Sequence, residues 1–353
     1  MSEGVHIVTT GFQPWDAISQ HVIEEQRLTR EMGLRCEIFA EPGMTHPRLR
    51  SAAHSIREWK RLTRSDDAAI LHYSIANPNF DWVVDRVRAC GLTYHNITPP
   101  EYLWRYAPRL ALECLRGRHD LARFADRVAA TAADSDFNAA ELRELGFPEP
   151  SVVGVMRSPL PKVAPLPRPS GDPVRLLFVG RGVPNKAQHH LILSLAALRE
   201  TGVDAKLRLI GAWDGLDRYR DYCEGLTATL GLNDDVDFAG SVDDDELARA
   251  YRSSDLFVCL SDHEGFCAPL VEAMSADLPI VAYSAAAVPG TVGDAALLLD
   301  TKPPSLVAEA ILEVLRNEPL RERMAAACRE RTAFHSIDSV GARLREYLDR
   351  LLG

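Results

Sequence analysis

The chain has 353 residues, 46% hydrophobic and 25% charged; at roughly 100–200 residues per domain it has room for two domains, and wholesale disorder is excluded. Its 40 basic and 50 acidic residues leave a formal net charge of −10, which argues against nucleic acid as a partner. No run approaches the roughly 18 apolar residues of a membrane-spanning helix.

In chain order, MSEGVHIVTTGF has no basic stretch ahead of its short apolar run, so it is read as a first strand and not a signal peptide. Strands are predicted at Val5–Thr9, Arg35–Ala40, Ala68–Ser74, Leu92–Asn96, Val128–Thr131 and Ser151–Val155. Helices are predicted between them at Ile18–Met32, Trp82–Cys90, Pro108–Phe124 and Asn138–Leu145. Continuous apolar strands alternating with amphipathic helices mean a parallel sheet covered on both faces. Residues 157–173 carry Pro159, Pro161, Pro165, Pro167, Pro169 and Pro173. Proline removes donors and forbids helix, so this stretch is a linker and the clearest domain boundary.

The alternation then restarts. Strands are predicted at Arg175–Val179, Lys206–Ile210, Val236–Phe238, Leu256–Leu260, Pro279–Tyr283 and Ala296–Leu299. Helices are predicted at Lys186–Glu200, Leu216–Leu230, Asp244–Ser253, Pro269–Ser275 and Ser305–Arg316, with two more up to Leu352. The domain reading is 1–157, a linker 158–173, 174–335, and a last helix within 336–353 that returns to the first domain. Two parallel α/β domains of similar size should face each other across a cleft lined by strand C-termini.

Seven cysteines, odd in number and without a C-x-x-C pair, fit a reducing cytoplasm and neither a disulfide framework nor a zinc site. His263-Glu264 begins like a zinc-protease helix, but Cys267 stands where the second histidine belongs and Gly265 interrupts the turn, so no metal is expected. Residues 48–64 carry six basic groups against one acid, with Leu49, Ala53, Ile56 and Trp59 on one helical face. That pattern offers peripheral contact with an anionic membrane, or the plainer alternative of a surface helix packed by its apolar side.

The strongest chemical signal is SDHEGFCAPLVEAM, residues 261–274. Pro269 suits the first turn of a helix, leaving the N–H groups of Ala268, Leu270 and Val271 to point from its N-terminus as an anion site. Glu264 and Glu272 flank that site. Carboxylates beside a phosphate make sense if they accept from sugar hydroxyls; on their own they are also two ordinary glutamates at a helix start.

The run E-G-F-C-A-P-L-V-E resembles the E-x7-E signature of retaining GT-B glycosyltransferases of family 4. VGRGVPNKAQHHLI, LRLIGA, VDFAGSVDDDELARAY and ADLPIVAYSAAAVPGTVGDAALLL resemble neighbouring segments of that family, in family order across the second domain. In the first domain the likeness is looser. TYHNITPP resembles the strand end with the family's active-site histidine, SDFNAAELRELGF its usual strand–helix near the domain end, and Asp16-Ala17 sits where a glycine pair is usual.

The resemblance implies two Rossmann-like domains in a GT-B arrangement. It also implies transfer of a hexose-type sugar from a nucleoside-diphosphate sugar to a hydroxyl, by front-face attack with retention. Arg181 and Lys186 would neutralise the departing diphosphate. Glu264 would accept from the transferred sugar, Glu272 from the ribose, and His95 would lie near the reactive carbon. Donor contacts fall to Asp16, Ala17, Ser241, Val242, Gly265, Phe266, Cys267, Ala268, Leu270 and Val271; acceptor contacts to His72, Tyr73 and Asn96. No cofactor is required, and a UDP-sugar is expected as donor, with a GDP-sugar as alternative. Cys267 replaces a common glycine and Gly290 stands where glutamate is frequent, which alters the loop and removes a polar support. Competing readings are a nucleotide-sugar epimerase, a sugar phosphorylase and a non-catalytic nucleotide-sugar-binding protein. A dinucleotide oxidoreductase is disfavoured because position 185 is asparagine, not the third glycine of its fingerprint.

Overall fold

The computed structural model describes residues 3–14, 16–164, 166 and 171–353, so Trp15 and the linker prolines Pro165, Pro167 and Pro169 lie outside the described residues. The chain forms two compact units, one of residues up to Pro99, Leu112–Ser158 and Phe334–Gly353, the other of Pro100–Ala111 and Pro159–Ala333. The segment Pro100–Ala111 thus groups with the second unit, whereas the sequence reading gave all of 1–157 to the first.

The first unit's elements in chain order are β1 (Val5–Thr9), α1 (Ala17–Glu31), β2 (Ile38–Ala40), α2 (Trp59–Leu62), β3 (Ala68–Tyr73), α3 (Asn79–Val84), β4 (Cys90–Tyr94), α4 (Pro108–Leu121, which begins in the second unit's segment), β5 (Ala130–Ala133), α5 (Asp136–Glu144) and β6 (Ser151–Val152). All pairings are parallel, in the order β2-β1-β3-β4-β5-β6. The central strand β3, AAILHY, is buried throughout, as a strand covered on both faces must be. The order reverses between β1 and β3, a topological switch point whose C-terminal edge is the usual place for a ligand in open α/β sheets.

Several predicted bounds shift, among them the helix expected at Trp82–Cys90, which is α3 (Asn79–Val84), and two changes bear on the site. Strand β4 starts and ends two residues earlier than the sequence suggests, because Asn96 adopts a left-handed backbone (φ 66°) that stops the extended run. The continuous amphipathic helix expected over 48–64 is absent: single 3-10 turns occur at Pro47–Leu49 and Ile56–Glu58, followed by the one-turn α2. His54 is the cause. Its N–H donates to the Ile38 carbonyl and its own carbonyl accepts from Ala40 N–H, pinning the segment to β2 as a strand-like bridge. Trp59 is buried against Phe39, with ring centroids 4.7 Å apart, so its indole belongs to the core and not to a membrane-facing stripe.

The second unit contains β7 (Val174–Val179), α6 (Gln188–Glu200), β8 (Ala205–Ile210), α7 (Asp217–Thr229), β9 (Val236–Gly240), α8 (Asp244–Ser253), β10 (Leu256–Cys259), α9 (Ala268–Ser275), β11 (Ile280–Tyr283), α10 (Val288–Val292), β12 (Leu297–Leu299), α11 (Pro304–Arg316) and α12 (Glu318–Phe334). Its sheet is also parallel, in the order β12-β11-β10-β7-β8-β9. Counted within the unit this is the doubly wound 3-2-1-4-5-6 order, with its switch point between β7 and β10. The last helix, α13 (Ile337–Leu352), belongs to the first unit, where Val340, Leu344, Tyr347, Leu348 and Leu351 pack with Val5, Leu28 and Ile70. Two parallel, doubly wound α/β sheets are the pair of Rossmann-like domains that the GT-B resemblance implies.

Candidate functional site

In the second unit the loops leaving β7 and β10 meet at the switch point. Gly180-Arg181-Gly182 follows β7 and packs backbone against backbone on the end of β8. A Cβ on Gly182 would lie 2.1 Å from Trp213 Cδ2, and one on Gly211 would lie 2.0 Å from the Gly180 carbonyl oxygen. The loops are stitched together at Asn185, whose Nδ2 donates to the His263 carbonyl (3.1 Å) while its own carbonyl accepts from Asp262 N–H (2.8 Å).

That stitching sets Lys186, at the end of a single 3-10 turn, against Glu264. The two form an ion pair between Lys186 Nζ and Glu264 Oε2. Glu264 is 4% exposed and its Oε1 has no hydrogen-bond partner among the described residues, while the Lys186 side chain is 21% exposed. Burial pushes the Lys186 ammonium towards a lower pKa, but Glu264 outweighs it and the net direction is upwards. Arg181 is exposed and gives one donor, Nη2, to the Asp214 carbonyl at 3.0 Å.

Helix α9 begins at this pair. Its N-cap, Cys267, is held at φ 68°, ψ 66°, a left-handed conformation, without a side-chain cap. This is why glycine is the easier residue there; the cost of cysteine lies in the backbone more than in narrowing of the loop. The Leu270 N–H is not free as expected from the sequence: it donates to the Cys267 carbonyl at 3.0 Å. Gly265 and Phe266 form the preceding turn, where the Phe266 carbonyl accepts from Thr291 Oγ1 (2.6 Å). Ala268 opens the helix and Val271 lies in its first turn. Glu272 is buried and accepts from Tyr251 Oη at 2.6 Å, which fixes its rotamer. Ser241 and Val242 sit in the turn after β9, just ahead of the α8 N-cap Asp243.

Two residues that sequence reasoning missed support this site. Lys302, after β12, donates to the Leu260 carbonyl (2.8 Å) and Asp262 Oδ1 (2.6 Å), anchoring the loop that carries Glu264. Tyr251 orients Glu272 from α8. Lys302 was legible only as a lysine just past a strand end; Tyr251 gave no signal.

The first unit has its own polar cluster at the β1/β3 switch point. His72, near the end of β3, places Nδ1 2.8 Å from Nε2 of His95, which follows β4. His95 Nδ1 lies 2.9 Å from Asp134, which follows β5. On the other side His72 Nε2 is 2.9 Å, and His21 Nε2 3.4 Å, from Glu25 Oε2, with neither ring N–H aligned on the oxygen. All five side chains are buried. Burial drives the His72 pKa down to about 4, whereas for His95 burial is outweighed by Asp134 and the direction is upwards.

Three residues given site roles by the sequence have internal partners in the first unit. Tyr73 faces the core, donating its hydroxyl to the Gly117 carbonyl (2.9 Å) beside Phe80 and Phe124. Asn96 is a structural brace whose Nδ2 donates to Asn138 Oδ1 (2.9 Å) and Glu141 Oε2 (2.8 Å). Asp16 is the N-cap of α1, accepting from Ser19 N–H (3.0 Å) and Ser19 Oγ (2.9 Å), with Ala17 the first helical residue.

Among the described residues, two clusters have metal-ligand residue types with donor atoms within 4.8 Å of one another: His21, Glu25, His72 and Cys259, Glu264, Cys267. Neither suits a cation. His21 Nδ1 accepts from Met156 N–H (2.9 Å), so the neutral ring carries its proton on Nε2, the atom that would have to ligate. In the second cluster the Lys186 ammonium already occupies Glu264.

Residues 166–331 match the glycosyl transferases group 1 family. Among curated relatives, the GDP-mannose-dependent alpha-(1-6)-phosphatidylinositol monomannoside mannosyltransferase of Mycobacterium tuberculosis is 30% identical over 188 residues, covering 50% of this chain and 48% of that protein. The D-inositol 3-phosphate glycosyltransferase of Salinispora arenicola is 29% identical over 64% of this chain and 47% of its own length. The chain thus spans about half the length of these relatives. Among solved structures, sucrose-phosphate synthase from Thermosynechococcus elongatus superposes with a TM-score of 0.74 at 16% identity, covering 99% of both chains. HepE from Anabaena, solved with UDP, gives 0.68 at 16% identity over 99% of this chain and 100% of its own.

Proposed function

We propose, from the match of residues 166–331 to the glycosyl transferases group 1 family, that the chain transfers a sugar from a nucleoside-diphosphate sugar to an acceptor hydroxyl with retention of anomeric configuration. The observation that carries the proposal is the Lys186–Glu264 pair at the β7/β10 switch point, one turn ahead of the α9 N-terminus. A diphosphate arriving there meets the Lys186 ammonium, the exposed Arg181 guanidinium and a helix N-terminus, all of which favour the charge that grows on a leaving phosphate. A diphosphate that draws Lys186 towards itself leaves Glu264, with its unpartnered Oε1, to accept from hydroxyls of the transferred sugar. Tyr251 holds Glu272 for the ribose hydroxyls. The protein contributes positioning and electrostatics, without a covalent intermediate.

For the donor, the relative named as GDP-mannose-dependent favours a GDP-sugar at 30% identity, while the UDP-bound neighbour keeps a UDP-sugar as the second reading at 16%. The proposed acceptor is a hydroxyl of a glycan, a lipid carrier or a small metabolite. Among the described residues no helix is long and apolar enough to cross a membrane. The seven free, buried cysteines support a cytoplasmic protein, with any membrane contact peripheral.

Thermal-shift titration with GDP-mannose, UDP-glucose and dTDP-glucose tests the donor, since a ligand that binds only the folded state raises its stability. Glu264→Gln should keep nucleotide binding, measured against its own baseline, and lose transfer. No shift with any of the three, or equal loss of binding and transfer in the variant, overturns the proposal.

A further inference from the structure

The buried chain Asp134–His95–His72–Glu25 in the first unit is more than a packing device, and counting its protons says what it does. Asp134 offers both carboxylate oxygens to His95 Nδ1, at 3.0 and 2.9 Å, so that nitrogen carries a proton. Glu25 Oε2 lies 2.9 Å from His72 Nε2, off the line of an ideal hydrogen bond, and a lone pair on that nitrogen would sit against the carboxylate's charge with no compensating donor, so electrostatics place the proton on Nε2. The 2.8 Å contact between His72 Nδ1 and His95 Nε2 needs one proton between them. Three protons on the four nitrogens of two rings amount to one positive charge. His21 cannot supply that charge instead, because its Nδ1 is spent accepting from Met156 N–H.

We propose that Glu25, acting through His72, is a positioning residue that commits both ring nitrogens of His95 to internal partners and keeps the His72–His95 pair singly charged. It rests on the glycosyl-transfer reading only for the assignment of His95 to the reaction. The charge resides on His95, the ring beside Asp134; the groups facing it are Asp134 after β5, His72 on β3, and Asp16, His21 and Glu25 on or capping α1. A ring so committed cannot abstract or deliver a proton at the reacting sugar. It supplies a fixed positive charge and a rigid strand end.

The test needs no substrate at first. In the wild-type protein labelled with 15N-histidine, His95 is expected to show both ring nitrogens protonated from pH 6 to 8. In Glu25→Gln, whose amide no longer demands a proton on His72 Nε2, His95 should lose its proton about one pH unit lower, roughly a tenfold change in its protonation constant. The alkaline limb of kcat/KM should move by the same amount, while nucleotide affinity stays within twofold. A His95 that is neutral at pH 7 in the wild type overturns the proposal, as does an unchanged titration in the variant. Should Glu25→Gln fail to fold, the wild-type spectrum still decides, and His72→Gln provides the second variant. Failure of the glycosyl-transfer reading would appear separately, as loss of nucleotide binding with the histidine spectrum intact.

Discussion

The pair at the heart of the second unit makes an unusual prediction about pH. Glu264→Gln removes the carboxylate and leaves the Lys186 ammonium without its partner. Breaking a fully buried pair costs about 3–5 kcal/mol; Lys186 is 21% exposed and can turn towards water, so about 2 kcal/mol is expected here. The direction with pH follows from the two opposing influences on Lys186. In the wild type Glu264 overcomes burial and raises the pKa above 10.5, so the pair's stabilisation is fully present below that value and is lost only at more alkaline pH. In the variant burial acts alone and the folded-state pKa falls below 10.5. Between those two values the unfolded chain binds more protons than the folded one, and stability rises with pH. The deficit should therefore be largest, about 2 kcal/mol, at pH 7.5 and narrow towards pH 9.5, by less than the full 1.4 kcal/mol per unit because the site is partly wet. Urea titrations of both proteins at the two pH values measure this. A deficit that is constant, or that widens with pH, would refute the electrostatic account of the pair.

Gly211→Ala should cost more than about 3 kcal/mol in urea unfolding, since its Cβ would strike the Gly180 carbonyl oxygen at 2.0 Å and its φ of +145° suits no L side chain. Gly225→Ala in α7, where the new Cβ meets nothing within 4 Å, is the control and should stabilise by up to about 1 kcal/mol. Leu344→Ala on α13, buried among Val5, Leu28 and Tyr347, should cost about 2–5 kcal/mol; a loss under 1 kcal/mol would mean that the helix is not part of that unit's core.

Most of the architecture was legible because long apolar strands and amphipathic helices obey different periods, and proline marks the linker. What escaped was tertiary. The segment 48–64 has a fair helical pattern, yet two backbone hydrogen bonds at His54 tie it to β2, and no local preference reveals such a tether. Tyr73 and His72 are adjacent in the sequence and looked alike as strand-end polar groups. Strand alternation sends one to Gly117 and the aromatic core, and the other into the histidine chain. Asp134 was missed because β5 runs two residues further than its apolar pattern suggests, which carries that carboxylate to the strand end beside His95.

The second unit was easier to read because its site depends on local sequence. The E-x7-E spacing, a proline near the start of α9 and a lysine after β7 all fall at one switch point. Even there, Cys267 shows what spacing omits: the residue type looks tolerable until its left-handed backbone is known. The first unit's site instead draws on α1, β3 and the ends of β4 and β5, whose meeting depends on strand order. That order places a switch point at β1/β3 as surely as the other sheet places one at β7/β10, and in each case a buried carboxylate faces a basic nitrogen there. Sheet topology, which no linear motif encodes, is therefore what locates both sites, while the motif identifies the chemistry of only one.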